Sequence, residues 1–92
     1  MAYSDSVRKT VANAPVGLGG QLGRAAVKKE FSVPRIAKAT GATRQTVYNW
    51  FGGGAVMWAY RERVKQLVDI LYASDTADNA WRQVCARFGI RA

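Results

Sequence analysis

Histidine is absent from this chain, cysteine occurs once, and only six of its 92 residues are acidic. Each shortage excludes something. Cys85 alone cannot close an intrachain disulfide, and without histidine the usual zinc and iron–sulfur ligand sets cannot be assembled, so no metal is expected. The same lack leaves Cys85 without a base to activate it as a nucleophile, and it reads as a small buried hydrophobe. The acids Asp5, Glu30, Glu62, Asp69, Asp75 and Asp78 offer no compelling convergent pair for acid–base catalysis. No Gly-Lys-Ser/Thr phosphate loop occurs, and Leu22 stands where a dinucleotide fingerprint needs its third glycine. The chain is read as a non-enzyme with no cofactor and no small-molecule ligand. It also lacks any apolar run approaching the roughly 18 residues of a membrane span, and Met1–Ser6 carries an acid in place of a secretory apolar core. The expectation is a cytoplasmic protein without a membrane partner.

What the chain has is basic charge and apolar bulk. Fourteen Lys and Arg give a net charge of +8, which favours polyanionic partners. Residues 1–54 hold eight basic and two acidic side chains, residues 55–92 six and four, so the anion-seeking half is the first. Hydrophobic residues make up 49% of the chain, enough for one small packed domain and far from a disordered composition.

Glycines clustered at 17–23 and 52–54 mark joints between helical stretches. Ser4 or Asp5 caps a short helix with Val7, Val11 and Ala14 on one stripe, and Pro15 ends it. Leu18, Leu22, Ala25, Ala26 and the stem of Lys29 line a second helix, whose glycines suit close packing. Ser32 reads as the cap of a helix over Val33–Ala39 that Gly41 stops, and Thr43 as the cap of Arg44–Phe51. Beyond the glycine turn, Met57, Tyr60, Val64, Leu67, Val68, Leu71 and Tyr72 keep helical spacing. A last helix, capped by Ser74 or Thr76, carries Ala77, Ala80, Trp81, Val84, Cys85 and Phe88 in register before Gly89. Trp50, Trp58 and Trp81 are each assigned to an apolar stripe, hence to the core. The fold class is all-α, a bundle of five or six helices.

Two short helices joined by a turn containing Gly41 match a helix-turn-helix, which sets one helix across the other and pushes the second outward. Ile36 faces the core, Ala37 is small at the crossing, Gly41 accepts the turn, and Val47 and Trp50 anchor the outer helix from beneath. The run Leu18-Gly19-Gly20-Gln21-Leu22-Gly23-Arg24, with Phe31-Ser32, Ile36-Ala37, Gly41 and Val47-Tyr48-Asn49-Trp50, resembles the Cro/lambda-repressor type helix-turn-helix family of phage and bacterial regulators. Phe51, Ala59-Tyr60 and Ile70-Leu71 extend the likeness across Val47–Leu71. The resemblance covers residues 18–72. It implies a lambda-repressor-like bundle of about five helices, two-fold dimers on operator DNA, and a second motif helix in the major groove. Residues 1–17 are an N-terminal extension to that pattern, and residues 73–92 a C-terminal helix that packs on the core or forms a dimer contact through Trp81, Val84 and Phe88. The extension is read as packing or dimerising in preference to acting as a minor-groove arm.

Carried over by position, the resemblance puts base reading on Arg44, Gln45, Tyr48 and Asn49. Their chemistry agrees: Arg forks onto guanine, Gln and Asn match adenine's groove edge, and Tyr touches a thymine methyl or a phosphate. Thr43, Thr46, Arg35, Lys38, Lys28 and Lys29 are the candidate phosphate contacts. The leading expectation is a sequence-specific transcriptional regulator, a repressor of Cro type, binding double-stranded DNA as a homodimer. Two alternatives stay open: a small phage DNA-packaging or replication factor built on the same motif, and a module that docks an acidic protein.

Overall fold

A computed structural model describes residues 2–91. Six helices follow one another: α1 (Asp5–Ala12), α2 (Leu18–Lys29), α3 (Val33–Thr40), α4 (Arg44–Phe51), α5 (Trp58–Ala73) and α6 (Ala77–Phe88). No strand occurs among the described residues.

Local chemistry accounts for most of the helix ends. The Ser4, Thr43 and Thr76 hydroxyls accept from the amides of Val7, Thr46 and Asn79, at 3.3, 3.1 and 3.1 Å, satisfying donors that a helix start leaves without partners. Of the two caps the sequence offers for α6, Thr76 takes the position. Ser74 instead ends α5, buried, with its hydroxyl donating to the Ile70 carbonyl at 2.6 Å. Ser32 stands at the N-cap of α3, as its position predicts, but its hydroxyl makes no capping bond. Gly41 stops α3 at φ 80°, a left-handed conformation that costs glycine nothing, and its amide returns to the Ala37 carbonyl at 2.9 Å.

Packing centres on α2, which touches α1, α4 and α5. Its glycines allow this. A Cβ on Gly19 would stand 2.6 Å from the carbonyl oxygen of Trp50 and 3.0 Å from that of Gly54, so any side chain there would drive α2 away from the end of α4. The fully buried side chains include Leu22, Phe31, Ile36, Val47, Val64, Leu67, Leu71 and Val84, with Trp50 and Phe51 nearly so. Ala37 is half-buried against that core, as the helix crossing requires.

Residues 2–17 do not trail from this body. Tyr3 is buried, its ring 5.8 Å from Phe51, and its hydroxyl donates to the Phe31 carbonyl. Glu30, the C-cap of α2 at φ 57°, accepts from the Ala2 amide at 2.8 Å and from Arg8 at 2.6 Å. The extension is therefore packed onto the bundle. No helix among the described residues is long and apolar enough to cross a membrane.

Several sequence assignments need correction. Trp58 is 85% exposed, so the placement of all three tryptophans in the core holds only for Trp50 and, in part, Trp81. Met57 is 67% exposed because it is the N-cap of α5, outside the helical register that its spacing suggested. Tyr72 is 51% exposed, at the edge of the apolar stripe of α5. Val84 is fully buried within its own chain, which removes it as a dimer contact, since nothing of its side chain is left to meet a second copy. Cys85 is only half-buried.

Candidate nucleic-acid interface

The outward helix of the pair α3 and α4 is α4. Its eight residues divide cleanly. Val47, Trp50 and Phe51 are buried and Thr46 half-buried, while Arg44, Gln45, Tyr48 and Asn49 are exposed. At about 100° per residue, those four exposed positions occupy one continuous arc of the helix. Every side chain expected to read bases thus lies on a single face.

The anchoring beneath that face is aromatic. The Trp50 ring meets Tyr60 of α5 edge-on at 5.5 Å between centroids. Phe51 is held between Tyr3 at 5.8 Å and Tyr48 at 6.2 Å, the latter edge-on. Tyr48 is consequently neither core nor free. One ring edge rests on Phe51 and 43% of the residue remains accessible.

The polar side chains of the face are ordered by one another. Gln45 Nε2 donates to Asn49 Oδ1 at 3.2 Å, an i to i+4 bond along the helix. That leaves Gln45 with its carbonyl oxygen and second N–H, and Asn49 with both N–H groups and a spare lone pair. At the start of α4 the hydroxyls of Thr43 and Thr46 lie 2.9 Å apart. Arg44, fully outside the core, makes no ion pair with any described residue.

The remaining phosphate candidates separate into two groups. Lys38 and Lys28 are exposed, with no polar partner among the described residues. Arg35 and Lys29 are engaged elsewhere. Arg35 bonds Asp78 of α6 at 3.2 Å and lies over the rings of Trp81 and Phe31, at 5.4 and 6.0 Å. Lys29 Nζ donates to the Ser74 carbonyl at 2.7 Å, closing the end of α5. Both assignments to phosphate meet a side chain already committed to holding helices together. The other α6 aromatics are likewise occupied: Trp81 packs on Phe31 at 6.1 Å, and Phe88 lies under Arg63 at 4.6 Å.

Two shifted groups belong to the contact between the extension and the bundle. Glu30 is held below the usual carboxylate range, first by the Ala2 amide and then by Arg8. The Tyr3 phenol is pushed far above its ordinary value, mainly because burial disfavours the phenolate. Asp75, away from this region, is lowered chiefly by the Asn79 side-chain amide. No cluster of three or more His, Cys, Asp or Glu and no pocket occurs among the described residues. The α4 face is an open surface, suited to a partner that comes to it.

Comparison with protein families, with curated proteins and with solved structures finds no match. Among the features that escaped the sequence are the Glu30 latch on the extension, whose only trace was an acid beside a basic helix end, the commitments of Arg35 and Lys29, and the exposure of Trp58.

Proposed function

We propose that this chain is a sequence-specific DNA-binding regulator in which α3 and α4 form a helix-turn-helix and α4 enters the major groove. The observation that carries the reading is the composition of the exposed arc of α4. It holds Arg44, Gln45, Tyr48 and Asn49 and nothing else, on a helix anchored from beneath by Val47, Trp50 and Phe51. Solvated helix faces carry such residues too, but a guanine fork, two adenine-matching amides and an aromatic gathered on one outward, firmly anchored helix suit groove reading. The net charge of +8 supplies the long-range attraction that any such surface needs.

The roles follow from the hydrogen-bond inventory. Arg44, at the start of α4, presents its fork to guanine O6 and N7. Gln45 reads adenine with the carbonyl and N–H that its bond to Asn49 leaves free, so Asn49 both orients Gln45 and offers its own amide. Tyr48 contributes an apolar ring edge for a thymine methyl. The hydroxyls of Thr43 and Thr46, with Lys38 and Lys28, meet phosphate and fix the docking without specifying sequence. A homodimer on a palindromic operator, with half-sites about 34 Å apart, would block a promoter that overlaps it.

Selection from a random duplex pool at two salt concentrations tests this reading. Enrichment of a two-fold symmetric motif is the expected result, and salt-sensitive binding with no motif would replace regulation by DNA packaging or other sequence-blind handling. On the selected site, Gln45→Ala should cost about 1–3 kcal/mol and relax preference at one base pair. Affinity unchanged by both Arg44→Ala and Gln45→Ala would refute the docking.

A further inference from the structure

The surface of α5 that faces away from the bundle carries an arrangement that α4 does not explain. Trp58 and Tyr72, two of the five exposed large hydrophobic residues among those described, stand at its two ends. They are 14 residues apart, about 21 Å along the helix, and at about 100° per residue they share one side. Between them on that side lie Arg61, Glu62, Lys65 and Asp69, all exposed. Neither of the two ion pairs among the described residues involves any of these four. Glu62 meets only Gln66, at 3.2 Å on the same helix.

Two properties of this strip point to one occupant. It carries two positive and two negative side chains and is therefore neutral, in a chain of net +8. Its order is also self-complementary under a two-fold axis through Lys65. Laid antiparallel on itself, the strip sets Trp58 against Tyr72 of the second copy and Arg61 against Asp69. The two Lys65 side chains then face each other across the axis, each with Glu62 of the other chain about one turn away. Both ends and the two symmetry-related Arg61–Asp69 pairs are matched, as an isologous contact requires, and Glu62 offsets the two Lys65 ammonium groups that meet at the axis.

We propose that the outer face of α5 is a self-association surface, on which a second copy of this chain packs its own α5 antiparallel. One helix face buries less than the roughly 800 Å² per partner of a standard stable interface, so the contact is a weak one that local concentration completes. The proposal names the surface for the homodimer of the DNA reading, and its test stands apart from that reading because the association is measured without DNA.

Sedimentation velocity on the full chain over a range of concentrations is the test, with circular dichroism confirming that each variant is folded. A reversible monomer–dimer equilibrium is expected, weakened at high salt. Trp58→Ser, Arg61→Glu and Asp69→Arg should each weaken it by about tenfold or more. The double variant Arg61→Glu/Asp69→Arg should recover most of the loss, because the two residues are too far apart within one chain for the swap to act internally. A protein that stays monomeric throughout would overturn the proposal. So would a dimer indifferent to all three single changes, or a double variant no better than the singles.

Discussion

Replacing Gly19 by alanine sets two effects of known sign against each other. Gly19 lies in the first turn of α2, where alanine is the better helix former by up to about 1 kcal/mol, so local propensity alone predicts a more stable protein. The surroundings predict the reverse. The added Cβ would lie 2.6 Å from the Trp50 carbonyl oxygen, 3.1 Å from its carbonyl carbon and 3.0 Å from the Gly54 oxygen, and all three are backbone atoms. Backbone cannot rotate away as a side-chain tip can, so α2 and the end of α4 must separate. Overpacking of that kind costs about 1–3 kcal/mol, enough to outweigh the propensity gain. Each kcal/mol moves the midpoint of a domain this size by about 4–8 °C, within easy reach of thermal circular dichroism. Gly23→Ala is the internal control: its new Cβ would meet Val11 and Phe51 side-chain atoms at 3.2 and 3.3 Å, which can yield by a few tenths of an ångström. The expected order of stability puts Gly23→Ala at or above wild type and Gly19→Ala below both. A Gly19→Ala variant as stable as wild type would refute the close approach of α2 to α4, and with it the account of how the α4 face is held.

The division of basic residues gives a second prediction. Lys38→Ala should weaken binding to all DNA sequences alike and lower the salt slope by about 1, leaving the melting temperature in place. Arg35→Ala should do the opposite: stability falls by about 1 kcal/mol through loss of the Asp78 pair and the stacking on Trp81, while the salt slope of DNA binding is unchanged. Acid unfolding supplies a third. The Glu30 carboxylate titrates below its ordinary value of 4.5, so its contribution is full above that pH and is lost as pH falls through the lower folded-state value. Glu30→Gln should flatten that part of the acid limb, measured as urea stability against pH, and an unchanged limb would show that the extension is not latched there.

The bundle and its outward face were legible because both follow from rules that act within a turn or two of chain. Hydroxyl residues at positions 4, 43 and 76 cap the helices that follow them, and Gly41 occupies the left-handed turn that its place between two short helices required. Once Val47, Trp50 and Phe51 are assigned inward, helical geometry alone turns Arg44, Gln45, Tyr48 and Asn49 outward. Tertiary commitments leave no such trace. That Arg35 and Lys29 spend their charge on Asp78 and on the Ser74 carbonyl depends on where α5 and α6 return, 43 and 45 residues further along.

Trp58 marks the same boundary from the other side. An aromatic close to Tyr60 and Val64 looks like core until the helix start is fixed, because periodicity is defined only relative to a register. Met57 is the N-cap, so the helical register begins at Trp58, and Tyr60 is committed to the core by its contact with Trp50. Two residues amount to roughly 200° of rotation, which sends Trp58 to the side of α5 opposite Tyr60. Single exposed aromatics are ordinary on a protein surface, and Trp58 and Tyr72 gain meaning only from sharing one side of α5. The neutral strip between the two aromatics makes a second copy of the same helix the covering surface that this chain can itself supply.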